Sequence, residues 1–125
     1  MIPGQLNLPV QQGDTYKLTL TWNNPPVGTA SPVPVDLTGC VANMQVRQNY
    51  GEPVLLALSS SALTTNGSGL TLGGTAGTIV LLINPLDTQV LQSGIYDIEV
   101  QFPDGSIQTP VGGSLSVNPG VTVWP

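Results

Sequence analysis

Histidine is absent from the chain, cysteine occurs once, and the basic residues number two, Lys17 and Arg47. These absences exclude a good deal. Without histidine, neither a Ser-His-Asp nor a Cys-His relay can be built, and Cys40 has no partner base to activate its thiol. A single cysteine closes no intramolecular disulfide and, with no histidine beside it, supplies no ordinary structural zinc site. Cys40 is therefore expected as a small buried apolar residue. Two cations cannot neutralise a run of phosphates, which argues against a nucleic-acid partner. Attraction to an anionic membrane surface fails for the same reason. No apolar run approaches the roughly 18–20 residues that span a bilayer. The N-terminal MIPGQLNLPVQQGD has neither the basic nor the long apolar region of a signal peptide.

What remains is one domain's worth of chain. Its 125 residues are enough to bury roughly two-thirds of the unfolded surface, so a core forms without covalent staples. Only 7% of the residues are charged, against about 25% in ordinary soluble domains. The net charge is −5, and the polar surface is built from Thr, Ser, Asn and Gln. Such a surface suits one that neighbours cover, because charge is depleted at the centres of protein interfaces.

The dominant period is two. In DTYKLTLTW, Tyr16, Leu18, Leu20 and Trp22 fall on one face, and Thr15, Lys17, Thr19 and Thr21 on the other. That alternation predicts a half-buried antiparallel strand. Cys40, Ala42, Met44 and Val46 form a second inward row, and VLLAL at 54–58 a further strand. Leu70-Thr71-Leu72 is a brief strand between glycine-rich turns. In GTIVLLI from Gly77, both rows are apolar: Ile79, Leu81 and Ile83 alternate with Val80 and Leu82. Such a strand is either central and covered on both sides, or turns its second face to another subunit.

One segment departs from this period. NPLDTQVLQSG, Asn84 to Gly94, offers Asn84 as N-cap, Pro85 at the first helical position and Gly94 as a stop. Leu86, Val90 and Leu91 share a helical face, which predicts a two-turn crossover helix at one end of a sandwich. GIYDIEVQFPDGS then places Tyr96, Ile98, Val100 and Phe102 on one face and Asp97 and Glu99 on the other. Pro103-Asp104-Gly105 is a turn, and Ser106 to Thr109 returns as the partner strand. Pro110 and Gly112-Gly113 mark a bulge before the strand resumes at Leu115.

Asp97 and Glu99 test whether an enzyme is present. Paired carboxylates about 5–10 Å apart serve glycoside hydrolysis, yet that chemistry needs unequal environments to split their pKa values. Neighbours on an open strand share one environment, so they read as a wet or interface-facing surface, facing Lys17 or Arg47. Asp14 and Asp36 lack the further acidic ligands of a calcium loop. The glycines of NGSGLTLGGTAG do not lead from a strand into a helix, so no phosphate cradle is formed. Asp36-Leu37-Thr38-Gly39 reads as a turn that launches a strand.

About eight short strands, one helix and regular turn signals predict an all-β fold, an immunoglobulin-like antiparallel β-sandwich with one short crossover helix. Residues 1–13 are expected as an extended N-terminal arm, 14–120 as the sandwich and 121–125 as a C-terminal tail. The candidate protein–protein interface comprises Val80 and Leu82, with Val121, Val123 and Trp124 of the tail, whose VTVW could add a strand to a neighbour. No catalytic, cofactor-binding or metal-ligating residue is expected.

The order of motifs carries a resemblance. QGDTYKLTLTW, PVDLTGCVANMQVRQ, GEPVLLAL, GLTLGGTAGTIVLLINPLDTQVLQSGIYDIEVQFPDGSI and GGSLSVNPGVT follow one another from Gln12 to Thr122. This set resembles small tailed-phage virion proteins, and in particular the N-terminal sandwich domains of upper baseplate proteins, which seat receptor-binding proteins on the tail. Relatives often carry an aromatic after D-L-T-G, where this chain has Cys40. The resemblance implies a non-enzymatic virion part assembled in the host cytoplasm: a tail, neck or baseplate adaptor joining larger virion proteins or fibres, self-associating as a homo-oligomer. A capsid decoration protein binding the major capsid subunits is the alternative. A carbohydrate-binding sandwich is a third reading; with Tyr16, Trp22, Tyr96 and Phe102 assigned to the core, Tyr50 and Trp124 remain as platforms.

Overall fold

In the computed structural model, residues 4–24 and 31–122 are described. They form two facing sheets. The strands are β1 (Gly4–Gln5), β2 (Leu8–Gln11), β3 (Tyr16–Thr21), β4 (Asn23–Asn24), β5 (Val33–Pro34), β6 (Val41–Arg47), β7 (Val54–Ser59), β8 (Gly69–Leu72), β9 (Thr78–Ile83), β10 (Gly94–Gln101) and β11 (Ile107–Asn118), with helix α1 (Pro85–Thr88) between β9 and β10. The large sheet runs β1-β11-β10-β6-β7, with β2 also on β11; the small sheet runs β3-β9-β8, and β4-β5 is a two-residue ribbon. Sequentially distant strands thus become neighbours, as in the immunoglobulin sandwich, and the all-β class predicted from alternation is the class observed.

Alternation explains the core. Ala42, Met44 and Val46 of β6, Tyr96, Ile98 and Val100 of β10, and Ile79, Leu81 and Ile83 of β9 all point inward and are buried. Each large aliphatic side chain removed from water in this way contributes about 1.5–3 kcal/mol. The inward row of β3 (Tyr16, Leu18 and Leu20) is only half-buried, because β3 lies at the margin of its sheet. At the end opposite α1, Trp22 packs at 57° to Phe102, with ring centroids 5.9 Å apart.

The turns form where their residues dictate. The Asp36 carboxylate accepts from the Thr38 amide at 2.9 Å, Leu37 is buried, and β6 starts at Val41. At Pro103-Asp104-Gly105 the Gly105 amide donates to the Phe102 carbonyl. Gly105 sits at φ +90°, a region costly for any residue with a Cβ. In β11 the register slips by one residue opposite Glu99, so the bulge falls at Thr109-Pro110.

Three expectations need correction. Gly4–Gln11 is not an arm ahead of the domain: β1 and β2 pair parallel to β11, and Leu8 and Val10 are buried in the core. The large sheet is therefore mixed rather than wholly antiparallel. Pro9, which has no amide to donate, is tolerated because β2 pairs on one side only. The helix makes one turn, not two. Leu86 in the helix and Val90 beyond it are 59% and 71% exposed, and of the three apolar residues only Leu91, also beyond the helix, enters the core. Four residues leave no room for a continuous helical face.

Candidate functional site

β9 places the predicted interface residues on the outer face of the small sheet. Val80 stands between Thr19 of β3 and Thr71 of β8, and Leu82 between Lys17 and Gly69. Ile79, Leu81 and Ile83 fill the other side, so Val80 and Leu82 face outward by the pleat and are half-buried. The strand is thus central, with a solvent-facing second row. Leu63, itself 66% exposed, lies over Gly69: a Cβ there would come within 2.7 Å of its Cδ2. Lys17 is the one charged residue that the three strands contribute to this outer face.

Val121 is 99% exposed beyond β11. Val123 and Trp124 lie outside the described residues. Close to Val121, the Gly120 amide donates to Gln12 Oε1 at 3.3 Å, and Gln12 Nε2 donates to the Leu91 carbonyl at 3.1 Å. The chain's last described turn is thereby tied to the turn after β2 and to the segment after α1.

Asp97 and Glu99 project from the outer face of the large sheet, both exposed, opposite Gln45 and Asn43 of β6. Lys17 is on the other sheet, so the expected pairing with it is geometrically closed. Arg47 is on the same face, but its guanidinium donates to Gln45 Oε1 at 2.9 Å and to the Glu52 carbonyl. The two carboxylates help to line a groove of about 500 Å³. One wall is the β6–β7 turn carrying Tyr50, and the floor includes Gly112 and Gly113 of β11.

The residue that sequence reading passed over is Asp87. Its carboxylate accepts from the Thr64 hydroxyl at 2.9 Å, the Asn66 amide at 2.9 Å and the Ser68 hydroxyl at 2.5 Å. Burial, the largest single influence on this carboxyl, pushes its pKa up, but the three hydrogen bonds together hold it below its ordinary value. Ser68, fully buried, also accepts from the Asn84 amide. Next to Asp87, the buried Thr88 hydroxyl accepts from the Gly13 amide at 3.1 Å and donates to the Asp14 carbonyl at 2.8 Å. The D-T pair of NPLDTQVL therefore clips two separate turns to α1, which is a structural role. Its signal in sequence was the acidic residue in the first turn of a helix with nothing basic nearby.

Other candidates are structural as well. Cys40 is half-buried against the core, where burial, then the negative charges of Asp36 and Asp104, raise its thiol pKa. Among the described residues, no group of three or more His, Cys, Asp or Glu side chains gathers into a metal cage. No helix there is long and apolar enough to cross a membrane. No protein-family model matches the sequence, and no curated protein matches it either.

Proposed function

We propose that the chain is a non-enzymatic structural component of a tailed-phage virion, an adaptor of the tail, neck or baseplate that joins larger virion proteins or fibres. The observation that carries this reading is the outer face of the small sheet. There the apolar pair Val80 and Leu82 sits among threonines with Lys17 as the only charge on the three strands. A lone domain keeps such a face wet with charges of both signs; a subunit in an assembly covers it. The 7% charged composition extends the same logic to the whole chain. The ordered motifs from Gln12 to Thr122, with their resemblance to upper baseplate sandwich domains, supply the kind of assembly.

The partners are other virion proteins and further copies of this chain. Asp97 and Glu99, adjacent, exposed and on one strand, support a role without catalysis. Gold-labelled antibody on intact particles of the encoding phage tests the location. Label confined to the tail or neck supports the adaptor. Label spread over the head makes the chain a capsid decoration protein, and well-preserved particles without label count against any exposed virion role.

A further inference from the structure

We propose that the groove on the outer face of the large sheet binds an uncharged oligosaccharide. This inference does not rest on the virion reading, and its test uses the isolated chain. The groove, about 500 Å³, falls within the size range of small-ligand clefts, roughly 300–1,000 Å³. It brings together three features that sugar recognition requires and that sequence keeps far apart.

The first is an aromatic platform. Tyr50 is 88% exposed, the most exposed aromatic ring of the described residues, and it lines the groove wall. The turn that carries it is held in place: the Tyr50 amide donates to Asn49 Oδ1 at 2.8 Å, the Glu52 amide donates to the Asn49 carbonyl, and Arg47 reaches across the turn to the Glu52 carbonyl. A turn held in place lowers the cost of ordering the site on binding, and the C–H face of a pyranose stacks on an exposed aromatic ring.

The second is a set of hydrogen-bonding groups matched to hydroxyls. Ionised Asp97 and Glu99 are pure acceptors, and hydrogen bonds to a charged acceptor are the strong ones. Arg47 is committed to Gln45 and Glu52, so its guanidinium is directed at neither carboxylate. Gln5, Thr109 and Ser114 add side chains that both donate and accept. The third is an open floor. At Gly112 a Cβ would stand 3.4 Å from the Asp97 Cβ; its absence leaves the flank of Asp97 free for a ligand.

Charge then sets selectivity. Two carboxylates against one guanidinium disfavour uronic acids, sialylated and sulfated glycans, which bring further negative charge. Uncharged hexose, deoxyhexose and N-acetylhexosamine oligomers carry hydroxyl donors without that repulsion.

The test is a glycan array probed with the full chain, spanning these uncharged oligomers together with uronic-acid and sulfated glycans, with hits measured by saturation-transfer NMR. Binding is expected among uncharged glycans only. Tyr50→Ala and Asp97→Ala should each weaken it by about tenfold, as loss of a central anchor does. Both side chains are exposed, so circular dichroism of the variants should be unchanged. The proposal is overturned if no uncharged glycan binds, or if acidic glycans bind equally well. It is also overturned if binding survives both substitutions.

Discussion

The Tyr96 hydroxyl donates a hydrogen bond to the carbonyl oxygen of Leu6 at 2.8 Å, joining residues 90 positions apart. The contact falls where the pairing of the N-terminal segment with β11 is interrupted, between Gln5↔Gly112 and Leu8↔Leu115. The same carbonyl also explains Gly113, where a Cβ would come within 2.5 Å of it. Tyr96→Phe deletes the donor and keeps the ring. We expect a loss of about 1 kcal/mol in chemical denaturation. Amide exchange should accelerate selectively in Gly4–Gln11, and an unchanged exchange pattern there would show that Tyr96 does not hold the strand.

Tyr96 also sets an alkaline limit. Burial, and then the neighbouring Tyr16, push its phenol up from 10.0 to about 12. A pKa raised in the folded state gives stability that is fully present below the unfolded value and lost as pH rises through the folded one. The protein should therefore weaken between pH 10 and about 12. In Tyr96→Phe that contribution disappears, and denaturation midpoints across this range should flatten relative to the parent.

The acid limit has the opposite sign. Asp87 is held below its ordinary value by hydrogen bonds that outweigh its burial, and Asp36 and Asp104 are lowered by hydrogen bonds to Thr38 and Ser106. A depressed carboxyl pKa stabilises above the unfolded value and ceases to do so as pH falls through the folded one. Stability should hold down to the ordinary carboxyl value of 3.8 and decline below it. Asp87→Ala, which strands Ser68 and frees the 64–68 turn, should cost about 1–3 kcal/mol at neutral pH. It should also shallow the acid transition, as read by thermal melts from pH 7 to pH 2.

Much of this fold was legible because strands of period two announce their faces. The rows Ala42-Met44-Val46 and Tyr96-Ile98-Val100 were read from alternation and are the core. The N-terminal strand was not legible: LPVQ is too short to establish a period, and Pro9 within it speaks against a strand. Leu86 and Val90 misled in the other direction, since an apolar spacing that suits a helix does not make the helix long enough to use it. The groove was hidden for a different reason. Tyr50 and Asp97 line one groove only through the register that sets Arg47 opposite Ile95, and pairing between distant strands is not written in either segment alone.

Under the proposed virion role, assembly should depend on the small sheet and not on the carboxylates. Val80→Asp and Leu82→Asp place a charge on the outward row, where half-burial limits the folding cost to about 1 kcal/mol. Each should sharply reduce incorporation into particles in a complementation assay while the purified variant stays folded. Asp97→Asn with Glu99→Gln should leave incorporation unchanged. The reverse pattern would move the assembly surface to the large sheet.

Quantitative mass spectrometry of gradient-purified, genome-filled phage particles tests the proposed virion role most directly. The proposed virion role predicts this chain in every preparation, at a fixed ratio to the major structural proteins and resistant to high-salt washing. Its absence from washed particles, with the chain left in the soluble lysate, would contradict a structural role in the virion.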